Sequence, residues 1–137
     1  MADITVPATT EQLDVVLAFI EGELKKINCP TKKCRQIAIA TEEIFVNIAH
    51  YAYRPIEGEA TVRCNIDTER EQPQITIEFL DSGKPYDPLG RDDPDTTLSA
   101  EERDIGGLGI FMVKRLMDDV KYEYINGKNI LTIQKNV

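Results

Sequence analysis

Asn126-Gly127 lies between two strand-like runs, Val120–Ile125 and Lys128–Ile133, and it constrains the fold more than any other feature. Both residue types accept positive φ, which a two-residue hairpin turn demands of its central pair. The flanking runs must therefore fold back on each other as antiparallel neighbours. A second pair follows the same logic. In Ala60–Asp67, Ala60, Val62, Cys64 and Ile66 alternate with Thr61, Arg63 and Asn65, while Gln74–Leu80 places Ile75, Ile77 and Phe79 on one face. The polar stretch Thr68–Gln72 joins them, which predicts another antiparallel hairpin. The strands thus come mostly in hairpins and not in strand–helix–strand crossovers.

Three segments read as helices. Leu13, Val16, Leu17, Ile20, Leu24 and Ile27 recur at helical spacing after Thr9 or Thr10, either of which is a suitable cap, and Asn28-Cys29-Pro30 stops them. A second helix, capped by Thr31, runs to about Tyr53 with Cys34, Ile37, Thr41, Ile44, Ile48 and Tyr51 as its apolar stripe. Arg54-Pro55 closes it. The third starts at Gly106–Gly109, carries Ile110, Val113, Leu116 and Met117 inward, and ends at Asp118-Asp119. Ile4–Pro7 reads as a short edge strand stopped by proline. The expected fold class is α+β: a two-layer α/β sandwich with helices on one face of a mixed, mostly antiparallel sheet.

Between the second hairpin strand and the third helix, Asp81–Asp104 is rich in acids, prolines and glycines and far longer than an ordinary connection. It reads as a functional loop or lid, covering about 87–105, with Leu98–Glu102 as a brief helix inside it. The whole chain, residues 1–137, is expected to be one domain. Its formal charge of -8, from 24 acidic against 16 basic residues, disfavours nucleic acid as a partner and suits a basic or neutral protein. The three cysteines lack the spacing of a zinc site or a disulfide framework and read as reduced thiols. No apolar run is long enough to span a membrane, and the N-terminus lacks a secretory pattern, so a cytoplasmic location is expected.

Three motifs carry possible chemistry. On the second helix, Glu43 and Asn47 stand four residues apart, about 40° around the axis, and so share a side at the rim of the apolar stripe. An amide oxygen suits Mg²⁺, and a carboxylate one turn away can take a proton from an attacking hydroxyl. Asp81-Ser82-Gly83 follows a strand directly, where a carboxylate can accept from an exocyclic amine and a glycine lets a base approach the backbone. Gly106-Gly107-Leu108-Gly109 feeds a helix, whose free N–H groups and dipole suit phosphate. It is neither a P-loop, lacking Gly-Lys-Ser/Thr, nor a dinucleotide fingerprint, since Met112 stands where the third glycine belongs. Singly, each motif also reads as a solvated helix face, an ordinary turn or a flexible loop. Their order in one chain is what makes them specific.

In that order they resemble the N box and two glycine boxes of the GHKL ATPase superfamily, with similarity from Ile4 to Lys135. Within it the chain resembles the branch of small bacterial anti-sigma-factor serine kinases of the RsbW/SpoIIAB type. Thr41–His50 and Gly107–Lys114 followed by a hairpin are similar to that branch. Pro85 replaces the second glycine of the first glycine box and should stiffen the entrance to the lid, yet Gly83–Pro88 resembles the branch's own Gly-x-Pro-Phe-Asp-Pro form.

The resemblance implies a Bergerat-type ATPase fold that binds ATP and Mg²⁺. It implies transfer of the γ-phosphate to a serine of a STAS-domain anti-anti-sigma protein, control of a sigma factor, and a homodimer as the common form. Carried over by motif, Glu43 is the general base and Asn47 the Mg²⁺ ligand. Asp81 reads adenine, with Gly83 beneath the base. Tyr86, Gly106, Gly107, Leu108, Gly109 and Ile110 complete the nucleotide site, and Thr132 assists Asp81 through water. Two other classes stay open: a non-catalytic ATP-dependent switch, and a histidine-kinase-like domain acting with a separate chain. For the latter, His50 is poorly placed as a phosphoacceptor.

Overall fold

A computed structural model describes residues 2–53, 58–90 and 107–137. Among them are five strands, β1 (Ala2–Pro7), β2 (Glu59–Asp67), β3 (Gln74–Asp81), β4 (Asp119–Ile125) and β5 (Lys128–Asn136). The helices are α1 (Leu13–Lys25), α2 (Thr31–Tyr51) and α3 (Gly107–Leu116), with 3₁₀ turns at Thr10–Gln12 and Pro88–Gly90. Arg54-Pro55 and the suggested helix at 98–102 lie outside the described residues.

The strands form one sheet in the order β1-β2-β3-β5-β4. Every described pairing is antiparallel, where the sequence left room for a mixed sheet. The Asn126-Gly127 hairpin forms, with φ of 53° and 77°, the paired positive values a type I′ turn needs. Because β3 and β4 both run antiparallel to β5, they run the same way, and α3 links them. The result is a split strand–helix–strand unit with the last strand laid into the gap. Hairpin logic alone did not give that arrangement.

One face of the sheet is apolar and covered. Val62, Ile75, Ile77, Phe79 and Ile133 are buried there, against Val16, Ile20 and Leu24 of α1, Ile37, Ile44 and Phe45 of α2 and Val113 of α3. Burying side chains of this size stabilises by about 1.5–3 kcal/mol each before entropy is counted. On α2 the buried set is Ile37, Ala40, Thr41, Ile44 and Phe45. Tyr51, expected in the stripe, is 47% exposed at the last position of α2.

The helix ends differ from the expected caps. Thr9 makes no capping bond, and Thr31 is the first residue of α2, not its cap. Pro30 takes the cap position, and its carbonyl accepts the Cys34 N–H at 3.0 Å. The stop at Asn28 has a clear cause. With Asn28 left-handed (φ 52°), the N–H of Cys29 bonds the carbonyl of Leu24 and that of Asn28 the carbonyl of Lys25, which is a Schellman closure. At the far end of α3, buried Lys135 donates to the Leu116 carbonyl at 2.7 Å, a cation on a helix C-terminus.

Candidate functional site

A cavity of about 430 Å³ opens between α2, the first turn of α3 and the ends of β3 and β5. Its walls are apolar, with Ile44 and Ile48 from α2, Phe79 and Leu131 from the sheet and Ile110 from α3. Asn47, Asp81, Lys84 and Asn129 supply polar groups. A mostly apolar hollow with a few convergent polar atoms is the usual form of a small-molecule site.

Strand parity puts Asp81 there. Ile75, Ile77 and Phe79 face the helices, and two residues further on the same face presents Asp81, 7% exposed. Its Oδ1 accepts the Gly83 N–H at 2.9 Å and the Asn129 Nδ2–H at 2.9 Å. Asn129 stands opposite Asp81 in the β3–β5 register. The Asn129 amide also donates to the Lys84 carbonyl at 2.9 Å and accepts from the Tyr86 N–H at 3.1 Å and from the Tyr122 hydroxyl. Burial raises the pKa of Tyr122, and the nearby Asp87 and Asp81 add to the effect. Its hydroxyl therefore keeps its proton to donate.

Glu43 lies at the other end of the site. Its Oε2 is 2.5 Å from the position a Cβ would take on Gly109, in the first turn of α3. Helix geometry brings Asn47 one turn along the same side of α2, at the cavity wall. The Glu43 carboxylate therefore stands where α3 begins, with Asn47 at the cavity wall one turn away.

The predicted residues divide as follows. Asn47, Asp81, Tyr86 and Ile110 line one cavity, and Glu43 meets Gly109 beside it. Gly107 and Leu108 lie in the first turn of α3; Gly106 lies outside the described residues, as does the lid from 91 to 105. Gly83 has a packing reason of its own. A Cβ there would sit 2.1 Å from the Ala52 carbonyl oxygen, so the end of α2 leaves no room for a side chain. Thr132 is not brought to the cavity. It pairs with Glu78 and Lys121 on the opposite face, while Asn129, Leu131 and Ile133 face the helices. Residues missed from the sequence are Asn129 and Tyr122. The signal for Asn129 was its even spacing from Leu131 and Ile133.

The cysteines are free thiols, as expected. Burial pushes the thiol of Cys64 up to about 12, and burial with a contact to Cys34 does the same for Cys29. Among the described residues, no group of three or more His, Cys, Asp or Glu side chains could hold a metal. A Mg²⁺ carried by phosphates takes one or two protein ligands, so Asn47 fits such an ion without a cluster. No helix among the described residues is long and apolar enough to cross a membrane.

The antiparallel sheet with its helical layer agrees with the family profile that matches this chain. The profile of the histidine kinase-like ATPase domain covers residues 6–135, and the chain belongs to that family. Among characterised proteins it is similar to the serine-protein kinase RsbW of Listeria monocytogenes, 28% identical over 130 residues, spanning 91% of this chain and 80% of that protein. It is also similar to the serine-protein kinase RsbW of Bacillus subtilis, 23% identical over 135 residues, 93% of this chain and 81% of that one.

Proposed function

We propose that this chain is an ATP-dependent serine-protein kinase of the anti-sigma type. It transfers the γ-phosphate of ATP to a serine on a STAS-domain anti-anti-sigma protein and regulates a sigma factor by exchanging partners. One observation carries the reading: the Glu43 carboxylate meets Gly109 at the first turn of α3, with Asn47 one turn along. The kinase names of its relatives support it.

Each residue then has a defined task. The apolar walls at Ile44, Phe79 and Leu131 enclose a flat base, and the Asp81 carboxylate accepts its exocyclic amine. The first turn of α3, with Gly107, Leu108 and Gly109, offers N–H groups to phosphate oxygens. Asn47 holds Mg²⁺, which screens the phosphate charge when bound. Glu43 accepts the proton of the serine hydroxyl as its oxygen bonds to the γ-phosphorus and the bond to ADP breaks. The segment at about 87–105 serves as the lid of this single ATP-binding domain.

Incubation with γ-labelled ATP and a STAS-domain protein carrying the acceptor serine tests this. Label should appear on that serine and vanish with Glu43→Gln. ATP binding with no transfer would overturn the kinase reading in favour of a non-catalytic switch.

A further inference from the structure

We propose that Asn129, backed by Tyr122, is the positioning residue for nucleobase selection. It fixes Asp81 as a one-oxygen reader and ties it to the segment where the chain leaves the cavity. The inference rests on the ATP-binding reading above and deepens it.

The hydrogen-bond accounting at Asn129 is complete. The two amide hydrogens go to Asp81 Oδ1 and the Lys84 carbonyl. The amide oxygen takes the Tyr86 N–H and the Tyr122 hydroxyl. A backbone carbonyl and a carboxylate only accept, and a backbone N–H only donates. These partners leave a single orientation for the amide. The pair is buried as well, with Asn129 and Asp81 each 7% exposed.

Asp81 is thereby held in one state. Its Oδ1 receives two donors, from Gly83 and Asn129, which stops rotation about the terminal bond. Oδ2 is left as the acceptor for a ligand. A 6-amino purine brings a donor to that oxygen. A 6-oxo purine brings an acceptor, and the two oxygens repel. A site whose buried polar group is left unpaired by the wrong ligand discriminates strongly. Without Asn129 the carboxylate is free to turn, and no oxygen is then held against the 6-position of the base.

The same amide grips both ends of Lys84–Tyr86. Base selection and the path of the chain through Lys84–Tyr86 are therefore one hydrogen-bonded unit. Tyr122 completes it from β4, the strand beyond β5.

The test uses the full chain and three competitors of a fluorescent ATP analogue: ATP, inosine triphosphate and inorganic tripolyphosphate. Wild type should favour ATP over inosine triphosphate by about tenfold or more. Asn129→Leu should weaken ATP by about tenfold, the scale of one unsatisfied buried polar group, and leave inosine triphosphate and tripolyphosphate within about twofold. The ratio then collapses. Tyr122→Phe should lower it by about threefold. An unchanged ratio in folded Asn129→Leu overturns the proposal. So does an equal loss of all three ligands, which would mark a purely structural role. If Asn129→Leu does not fold, Tyr122→Phe decides, and an unchanged ratio there overturns it. A wild-type chain that binds no ATP overturns the nucleotide reading itself, and this inference with it.

Discussion

Replacing Gly83 by alanine adds one methyl group where the structure has no room for it. The new carbon would lie 2.1 Å from the Ala52 carbonyl oxygen and 2.6 Å from its carbonyl carbon. Both are backbone atoms at the end of α2, so no side-chain rotation relieves the clash. Either α2 or the turn after β3 must move by about 1 Å to restore ordinary contact, and overpacking of this kind costs about 1–3 kcal/mol. The move also strains the bond from the Lys84 N–H to the Ala52 carbonyl, 3.1 Å long, whose loss adds about 0.5–1.5 kcal/mol. A combined loss of about 2–4 kcal/mol lowers Tm by roughly 5–15 °C in a domain of this size. Circular dichroism melts and urea titrations of wild type and Gly83→Ala measure it. ATP affinity should fall as well, because the Gly83 N–H that fixes Asp81 shifts with the turn. A variant melting within about 2 °C of wild type would refute the steric reasoning, since overpacking costs of this kind exceed that shift.

Gly109→Ala should behave in the opposite way. Its new methyl group meets the movable end of Glu43, so stability holds or rises by up to about 1 kcal/mol through helix propensity, while displacement of the carboxylate abolishes phosphoryl transfer. Retained transfer would show that Glu43 is not the base. Glu43→Gln should cut kcat by about 10²–10⁴ and leave ATP affinity within about twofold; single-turnover kinetics and equilibrium binding separate the two. Thr132→Val, on the uncovered sheet face, should leave ATP binding unchanged by calorimetry, and a marked loss would return Thr132 to the site. Cys64 makes stability fall at high pH. Burial holds its thiol up to about 12, whereas an unfolded thiol ionises near ~8.5. The unfolded state thus sheds a proton that the folded state keeps, and stability falls from about pH 8.5 upward. Between pH 7 and 10 the urea midpoint of wild type should drop further than that of Cys64→Val; parallel curves would contradict the assignment.

Much of this was legible in the residues. The β4–β5 hairpin followed from Asn126-Gly127, because positive φ is a property of those two residues and needs no partner elsewhere. The stripe Val16, Ile20, Leu24 and the stop at Asn28 were equally local. Asp81 was readable too, since parity carries the core face of Ile75, Ile77 and Phe79 straight to it.

The tertiary structure decided the rest. The glycine turn by itself suited many anion sites; the fold sets its first helical turn against Glu43 and beside a cavity holding Asn47 and Asp81. Strand order was not written locally, because the place of β5 between β3 and β4 depends on α3 packing across the sheet. For the same reason the residue that stands directly opposite Asp81 was not legible. In β5, Ile130 and Leu131 are both apolar while the two parities carry Asn129 with Lys135 and Thr132 with Gln134, so neither face announces itself. The register with β3 settles it by setting Asn129 opposite Asp81. Short-range backbone preferences fixed the turns and helices of this chain. Which polar side chains meet in the site was fixed by pairings between segments far apart in sequence, where no local preference reaches.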